Sequence, residues 1–97
     1  MSCKLILRQE AERDLTEAHA WYEERVPGPG SDFLIIVERT LESIDENPSQ
    51  FPVIYRKVRR ALLSRFPYGV YFVWESQRIS VIAVMHTARE PGKWRRR

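Results

Sequence analysis

Apolar residues recur along this chain with two different periods, and the change from one to the other divides it into a helical first half and a stranded second half. CKLILR, residues 3–8, is a short apolar run of the length and composition of a strand. Beyond it Ala11, Leu15, Ala18, Tyr22 and Val26 recur at spacings of four, three, four and four, while Glu10, Glu12, Arg13, Glu17, Glu23 and Glu24 fill the other positions. That is the stripe of an amphipathic helix. VPGPG, residues 26–30, must end it, because prolines and glycines cannot carry the helix on. Ser31 and Asp32 are good N-cap residues for a second helix, with Phe33, Val37, Leu41 and Ile44 on one stripe and Leu34 widening it. Asn47-Pro48 closes that helix.

After the loop SQFPVIY come VRRALL (58–63), YGVYFVWE (68–75) and RISVIAVM (78–85), rich in the β-branched and aromatic residues that suit strands. Ser76-Gln77 has the length of a hairpin turn. These elements predict an α+β fold: an N-terminal strand and an antiparallel helical hairpin packed on a three- to four-stranded antiparallel sheet. Alternation puts Val70, Phe72 and Trp74 on one parity and Tyr71 and Val73 on the other, then Ile79, Val81, Ala83 and Met85 against Ile82 and Val84. A sheet with one wet face would alternate apolar and polar, so the second face needs a cover of its own. The C-terminal segment, a second copy or another protein could supply it. No internal repeat or low-complexity segment interrupts the pattern.

Ninety-seven residues suit one domain, expected over 1–97. With 43% hydrophobic and 30% charged residues the chain falls in the globular class rather than the disordered one. The net charge is +3, but its distribution says more: residues 1–55 hold 5 Lys/Arg and 11 Asp/Glu, and residues 56–97 hold 11 and 2. Cys3 stands alone, so no intrachain disulfide is available. No apolar run approaches the roughly 20 residues of a bilayer span, and Arg8, Gln9 and Glu10 fall where a signal peptide would be apolar. A cytoplasmic protein that avoids the membrane is expected. His19 and Cys3 have no partners at ligand spacing, so neither a metal nor a cofactor is indicated.

EAERDL (10–15) followed by Trp21-Tyr22, ENP (46–48), VRRALL followed by RFPYGVYF, and VMHTAREP occur here in one order. In that order the sequence resembles the RelE/ParE superfamily of toxins from type II toxin–antitoxin (plasmid stabilisation) modules. The resemblance implies a cognate antitoxin as partner and one of two activities. ParE-like members inhibit DNA gyrase by binding it, with no bond-making chemistry of their own. RelE-like members are ribosome-dependent endoribonucleases that cleave mRNA. The long helical hairpin and the VMHTAREP ending look more ParE-like. RelE-like nucleases also commonly carry an arginine just after the aromatic that begins one meander strand, and the residue after Tyr68 is Gly69. The expected function is therefore gyrase inhibition without catalysis, with the ribosome and its mRNA as the alternative target. A homodimer or a toxin–antitoxin hetero-oligomer is compatible with either. A non-toxic nucleic-acid-binding module ranks third, because neither helix is basic as a recognition helix must be.

His86 is the one histidine in the stranded half, and RNA cleavage by a 2′-hydroxyl would need an acid and a base of its kind. The bland reading has it capping the strand end and hydrogen-bonding the turn after it. By strand parity it groups with Ser80, Ile82 and Val84. If the chain were a nuclease, His86, Arg59, Arg65 and Arg89 would be its catalytic candidates. Residues expected to bind target or antitoxin are Arg59, Arg60, Arg65, Tyr71, His86, Arg89 and Trp94, with alternation turning Arg59 and Arg60 to opposite faces. Trp94 within KWRRR could stack on a base, or belong to a solvated tail. Trp21 and Tyr22 are most simply core, as aromatics at helical spacing usually are, although Trp21 lies off the main stripe and could instead meet a partner.

Overall fold

The computed structural model describes residues 4–25, 29–89 and 92–97. Cys3, Val26, Pro27, Gly28, Glu90 and Pro91, on which several of the expectations above rest, lie outside them. Strand β1 (Lys4–Leu7) leads into helix α1 (Gln9–Arg25), and α2 (Pro29–Glu46) follows. Strands β2 (Val53–Tyr55), β3 (Val58–Leu62), β4 (Tyr68–Glu75) and β5 (Arg78–His86) complete a five-stranded sheet of order β1-β5-β4-β3-β2. β1 joins β5 in parallel; the other pairings are antiparallel. The sheet thus has one strand more than the sequence predicts. That strand, β2, lay hidden in the SQFPVIY loop because it is three residues long and begins directly after Pro52. Among the described residues no helix is long and apolar enough to cross a membrane.

Both helices pack on one face of the sheet. Ala11 and Ala18 of α1 and Phe33, Val37 and Ile44 of α2 are buried against Val70, Phe72, Ile79, Val81 and Val84. Leu34 does not widen the α2 stripe: it is exposed, and Ile36 is buried instead. α2 begins at Pro29, so Asp32 sits inside the first turn, where a carboxylate favours the positive end of the helix dipole. Tyr22, Phe33, Phe66 and Tyr68 form an aromatic cluster beneath the end of the hairpin where α1 leads into α2, with ring centroids 5.1 to 6.0 Å apart. Ser76 and Gln77 have φ of 49° and 62° and turn β4 into β5; two left-handed residues are what a two-residue hairpin turn with the twist of its strands requires.

The expected alternation breaks in the middle of β5. Tyr71 pairs with Ala83 and Phe72 with Val81, so Ile82 is an extra residue, a β-bulge. Ile79 and Val81 face the helices, Ile82, Ala83 and Met85 face the other way, and Val84 returns to the helical side. His86 therefore shares a face with Val84 but not with Ser80 or Ile82, contrary to simple parity.

The second face has a cover from the chain itself. A 3-10 turn at Lys93–Arg96 lays Trp94 on the sheet, 5% exposed, stacked on Tyr71 at 4.8 Å and edge-on to Tyr55 at 5.8 Å. This C-terminal segment is docked and not a solvated tail. Beyond Val81, which pairs with Leu7, β5 has no strand on its β1 side. There the Val84 N–H donates to Asp14 Oδ2 at 3.1 Å, and Arg97 Nη1 donates to the Ile82 carbonyl at 3.1 Å. Arg97 also grips the Asp14 carboxylate, Nη1 on Oδ2 and Nη2 on Oδ1 at 3.1 Å. One carboxylate on α1 and one guanidinium from the C-terminal segment thus satisfy the backbone that the bulge and the short β1 leave unpaired.

Asp14→Ala is expected to cost more than Arg97→Ala, because it strands both a part-buried N–H and a guanidinium. We expect about 2–4 kcal/mol against about 1–2 kcal/mol. Roughly 4–8 °C of melting temperature accompanies each kcal/mol in a domain of this size, so thermal unfolding followed by circular dichroism distinguishes the two. Equal melts for wild type and Asp14→Ala would show that the clamp contributes nothing.

Candidate functional site

The seven residues expected to make contacts fall in several places, not one. Arg59 pairs with Phe72 and Arg60 with Tyr71, so the two do face opposite sides of the sheet. Arg59 donates from Nη1 to the Phe51 carbonyl at 2.6 Å and leans over the Trp74 ring, a tie that holds β3 to the segment before β2. Arg65, in the β3–β4 connection with φ 69°, pairs with Asp32 at 3.7 Å. Tyr71 and Trp94 are buried against each other, which removes their ring faces from any docking role. Of the others, His86 and Arg89 lie together at the turn after β5.

Arg60 explains the glycine at position 69. A Cβ there would stand 3.2 Å from Arg60 Cγ and 3.3 Å from Tyr71 Cε1. The space where the nuclease pattern places an arginine side chain is filled by the stem of an arginine from the neighbouring strand.

The corner formed by His86 and Arg89 is built by the turn after β5. His86 Nδ1 accepts hydrogen bonds from the Ala88 and Arg89 N–H groups at 3.1 and 3.0 Å, so the imidazole caps the strand end. Two N–H donors on Nδ1 require its lone pair there and put the ring hydrogen on Nε2. Protonating Nδ1 would break both bonds. The ring also packs edge-on to Tyr68 at 5.3 Å.

Held by that turn, Arg89 reaches back over the sheet. Its Nη2 donates to the Tyr68 hydroxyl at 2.9 Å, and its guanidinium lies 4.9 Å from the Trp21 ring centre. Arg25, one helical turn beyond Trp21, lies over the same ring at 4.0 Å and also reaches the Trp21 carbonyl. The indole is thus flanked by two guanidinium groups at the end of α1. Beside it opens a cleft of about 240 Å³ lined by Asp14, Glu17, Ala18, Trp21, Tyr68, Val84, His86 and Arg89. Burial pushes the hydroxyl of Tyr22 up from its ordinary range, and the Arg89 charge pulls it partly back.

The corner offers two cations and an aromatic ring in fixed positions. Of the carboxylates nearby, Asp14 is claimed by Arg97 and Glu24 pairs with Arg25 at 3.8 Å, while Glu17 lines the cleft; the imidazole acceptor is taken by backbone N–H groups. Such a set suits recognition of an anionic or carboxylate-bearing surface. Arg25 escaped the sequence reading, although its i,i+4 relation to the off-stripe Trp21 was the available signal. Apolar surface remains elsewhere: Leu62, 60% exposed, borders a groove with Ile36, Arg39, Thr40, Ser43, Phe51 and Ser64 between α2 and β3.

No curated protein matches the sequence. Among solved structures, one described as the chromosomal ParDE TA system from P. aeruginosa superimposes with a TM-score of 0.77 at 17% identity, covering 87% of this chain and 95% of that one. At such identity the likeness speaks for the fold. Residues 5–91 match the family model described as the ParE toxin of type II toxin-antitoxin system, parDE. That span takes in both helices, all five strands and the turn that carries His86 and Arg89. The chain belongs to the ParE toxin family of type II toxin–antitoxin systems.

Proposed function

We propose that this toxin inhibits DNA gyrase by binding it, that the corner of Trp21, Arg25 and Arg89 makes the central contact, and that no residue of the chain performs bond-making chemistry. The observation that supports this reading best is the indole flanked by two guanidinium groups, at 4.0 and 4.9 Å. Trp and Arg are the residues most enriched among those that dominate protein interfaces, and stacking removes part of the entropy such side chains would lose on binding. The nuclease alternative needs a base and an acid near clustered arginines. Here Arg59, Arg65 and Arg89 each have a separate partner, and His86 Nδ1 is engaged by two N–H groups.

The cognate antitoxin is the partner that silences the toxin. We place its contact on the groove between α2 and β3, because Leu62 is a large apolar side chain left open there. The far face of the sheet no longer needs an outside cover, since Trp94 supplies it.

Replacing Trp21 by Ala and Arg25 and Arg89 by Gln together should weaken inhibition of gyrase supercoiling by at least about tenfold, with each factor of ten worth about 1.4 kcal/mol. The two arginine changes should add little to any loss of stability, but Trp21 is half-buried and edge-on to Tyr22 at 4.9 Å, so the melt should fall and the fold is checked by circular dichroism before inhibition is compared. Unchanged inhibition in a folded variant would move the target surface away from this corner.

His86→Ala should leave toxicity within a few-fold while lowering stability by about 1 kcal/mol through loss of the turn's acceptor. General acid–base assistance is worth about 10²–10⁴-fold, so its loss could not be missed in a growth assay. Abolished toxicity with antitoxin affinity intact would make the ribonuclease the better account.

A further inference from the structure

The sheet face away from the helices carries a second cavity, and neither the corner nor the antitoxin groove uses it. About 500 Å³ in volume, it opens near the β4–β5 hairpin and is lined by Arg8, Val73, Glu75, Ser76, Arg78 and Ser80. Arg8 enters from the end of β1, where its N–H is fixed on the Val81 carbonyl at 3.0 Å. Arg78 and Ser80 come from β5, and Ser76 from the turn. Two arginines, two serines and Glu75 therefore line one space with strands behind them.

The charges around that space are out of balance. Glu75 is the cross-strand neighbour of Arg78 and could neutralise it. Instead its Oε2 pairs with Lys57 Nζ at 2.6 Å, and that contact raises the Lys57 pKa. Among the described residues neither Arg8 nor Arg78 makes an ion pair. On its other side Arg78 is in register with Lys4, a like charge on the adjacent parallel strand, and such neighbours repel. With eleven of the thirteen acidic residues in the helical half of the sequence, little on this face offsets them.

From this imbalance we infer a binding site for a phosphate-class oxyanion, held by the Arg8 and Arg78 guanidinium groups and by the Ser76 and Ser80 hydroxyls. Arginine suits such a ligand because its planar fork donates two parallel hydrogen bonds to adjacent oxygens. An anion seated there would also relieve the repulsion between Lys4 and Arg78. Free phosphate and the phosphodiester of a nucleic-acid strand present the same oxygens. The inference is independent of which target the toxin inhibits, since none of these four residues belongs to the Trp21 corner.

The test is a titration of the ¹⁵N-labelled full chain with inorganic phosphate at constant ionic strength, followed by amide shifts. Saturable shifts are expected at Arg8, Ser76, Arg78 and Ser80, and in Arg8→Gln/Arg78→Gln the affinity should fall at least tenfold with an unchanged melt. Arg13→Gln, at an exposed position of α1, should bind phosphate as wild type does. A single-stranded oligonucleotide that displaces phosphate from the same amides identifies a phosphodiester as the ligand; displacement by a mononucleotide phosphate alone identifies a small anion. Absent shifts, shifts centred instead on Arg56 and Arg95, whose guanidinium groups lie over the Tyr55 ring, or equal affinity in the double variant would each overturn the site.

Discussion

Asp14 on α1 accepts the Val84 N–H of β5 and receives Arg97 from the C-terminal segment, and the two-sided architecture depends on that junction. A bulge at Ile82 leaves backbone groups without a neighbouring strand, and an unpaired buried N–H or C=O costs about 1–3 kcal/mol. Side chains repair the deficit here. Their positions tie together a helix, the longest strand and the segment carrying Trp94, three pieces that the backbone ladder alone does not join.

The bulge also decides what each face presents. By returning Val84 and His86 to the helical side, it lets the strand end meet α1, so that Tyr68, His86, Arg89 and Trp21 can form one corner. By turning Ile82, Ala83 and Met85 the other way, it prepares an apolar floor for Trp94. A regular strand would have sent His86 to the far face and dispersed the corner. The geometry of this corner therefore rests on a backbone irregularity a few residues upstream.

Much of this was legible in the sequence, for reasons that also mark where legibility ended. Both helices followed from a 3.6-residue stripe with charged flanks, and the three meander strands from β-branched runs with short breaks. Within LIIV (34–37) every residue is apolar, so the run could not say that Ile36 rather than Leu34 turns inward. RISVIAVM hides its bulge in the same way: when both faces are buried, alternation carries no information about which residue is extra. KWRRR left base stacking by Trp94, a solvated tail and a cover for the sheet all open because charge dominates its composition, whereas one ring stacked on Tyr71 is enough to dock it. Of the residues expected to make contacts, Arg89 and His86 were brought together, while Tyr71 and Trp94 were used internally. Arg65 and Arg59 serve local ties that depend on loop geometry, which no local pattern encodes.

Two surfaces of different chemistry follow: a cation–aromatic corner at the end of α1, and a groove of mixed polarity between α2 and β3, open at Leu62, on which we place the antitoxin. If the corner acts by binding alone, its target should be halted without any covalent change to nucleic acid made by the toxin itself. The most direct measurement adds the purified chain, in parallel, to gyrase with relaxed plasmid and to translating ribosomes with a defined message. The account predicts loss of supercoiling in the first reaction and intact message in the second. Cleaved message with supercoiling unaffected would contradict it.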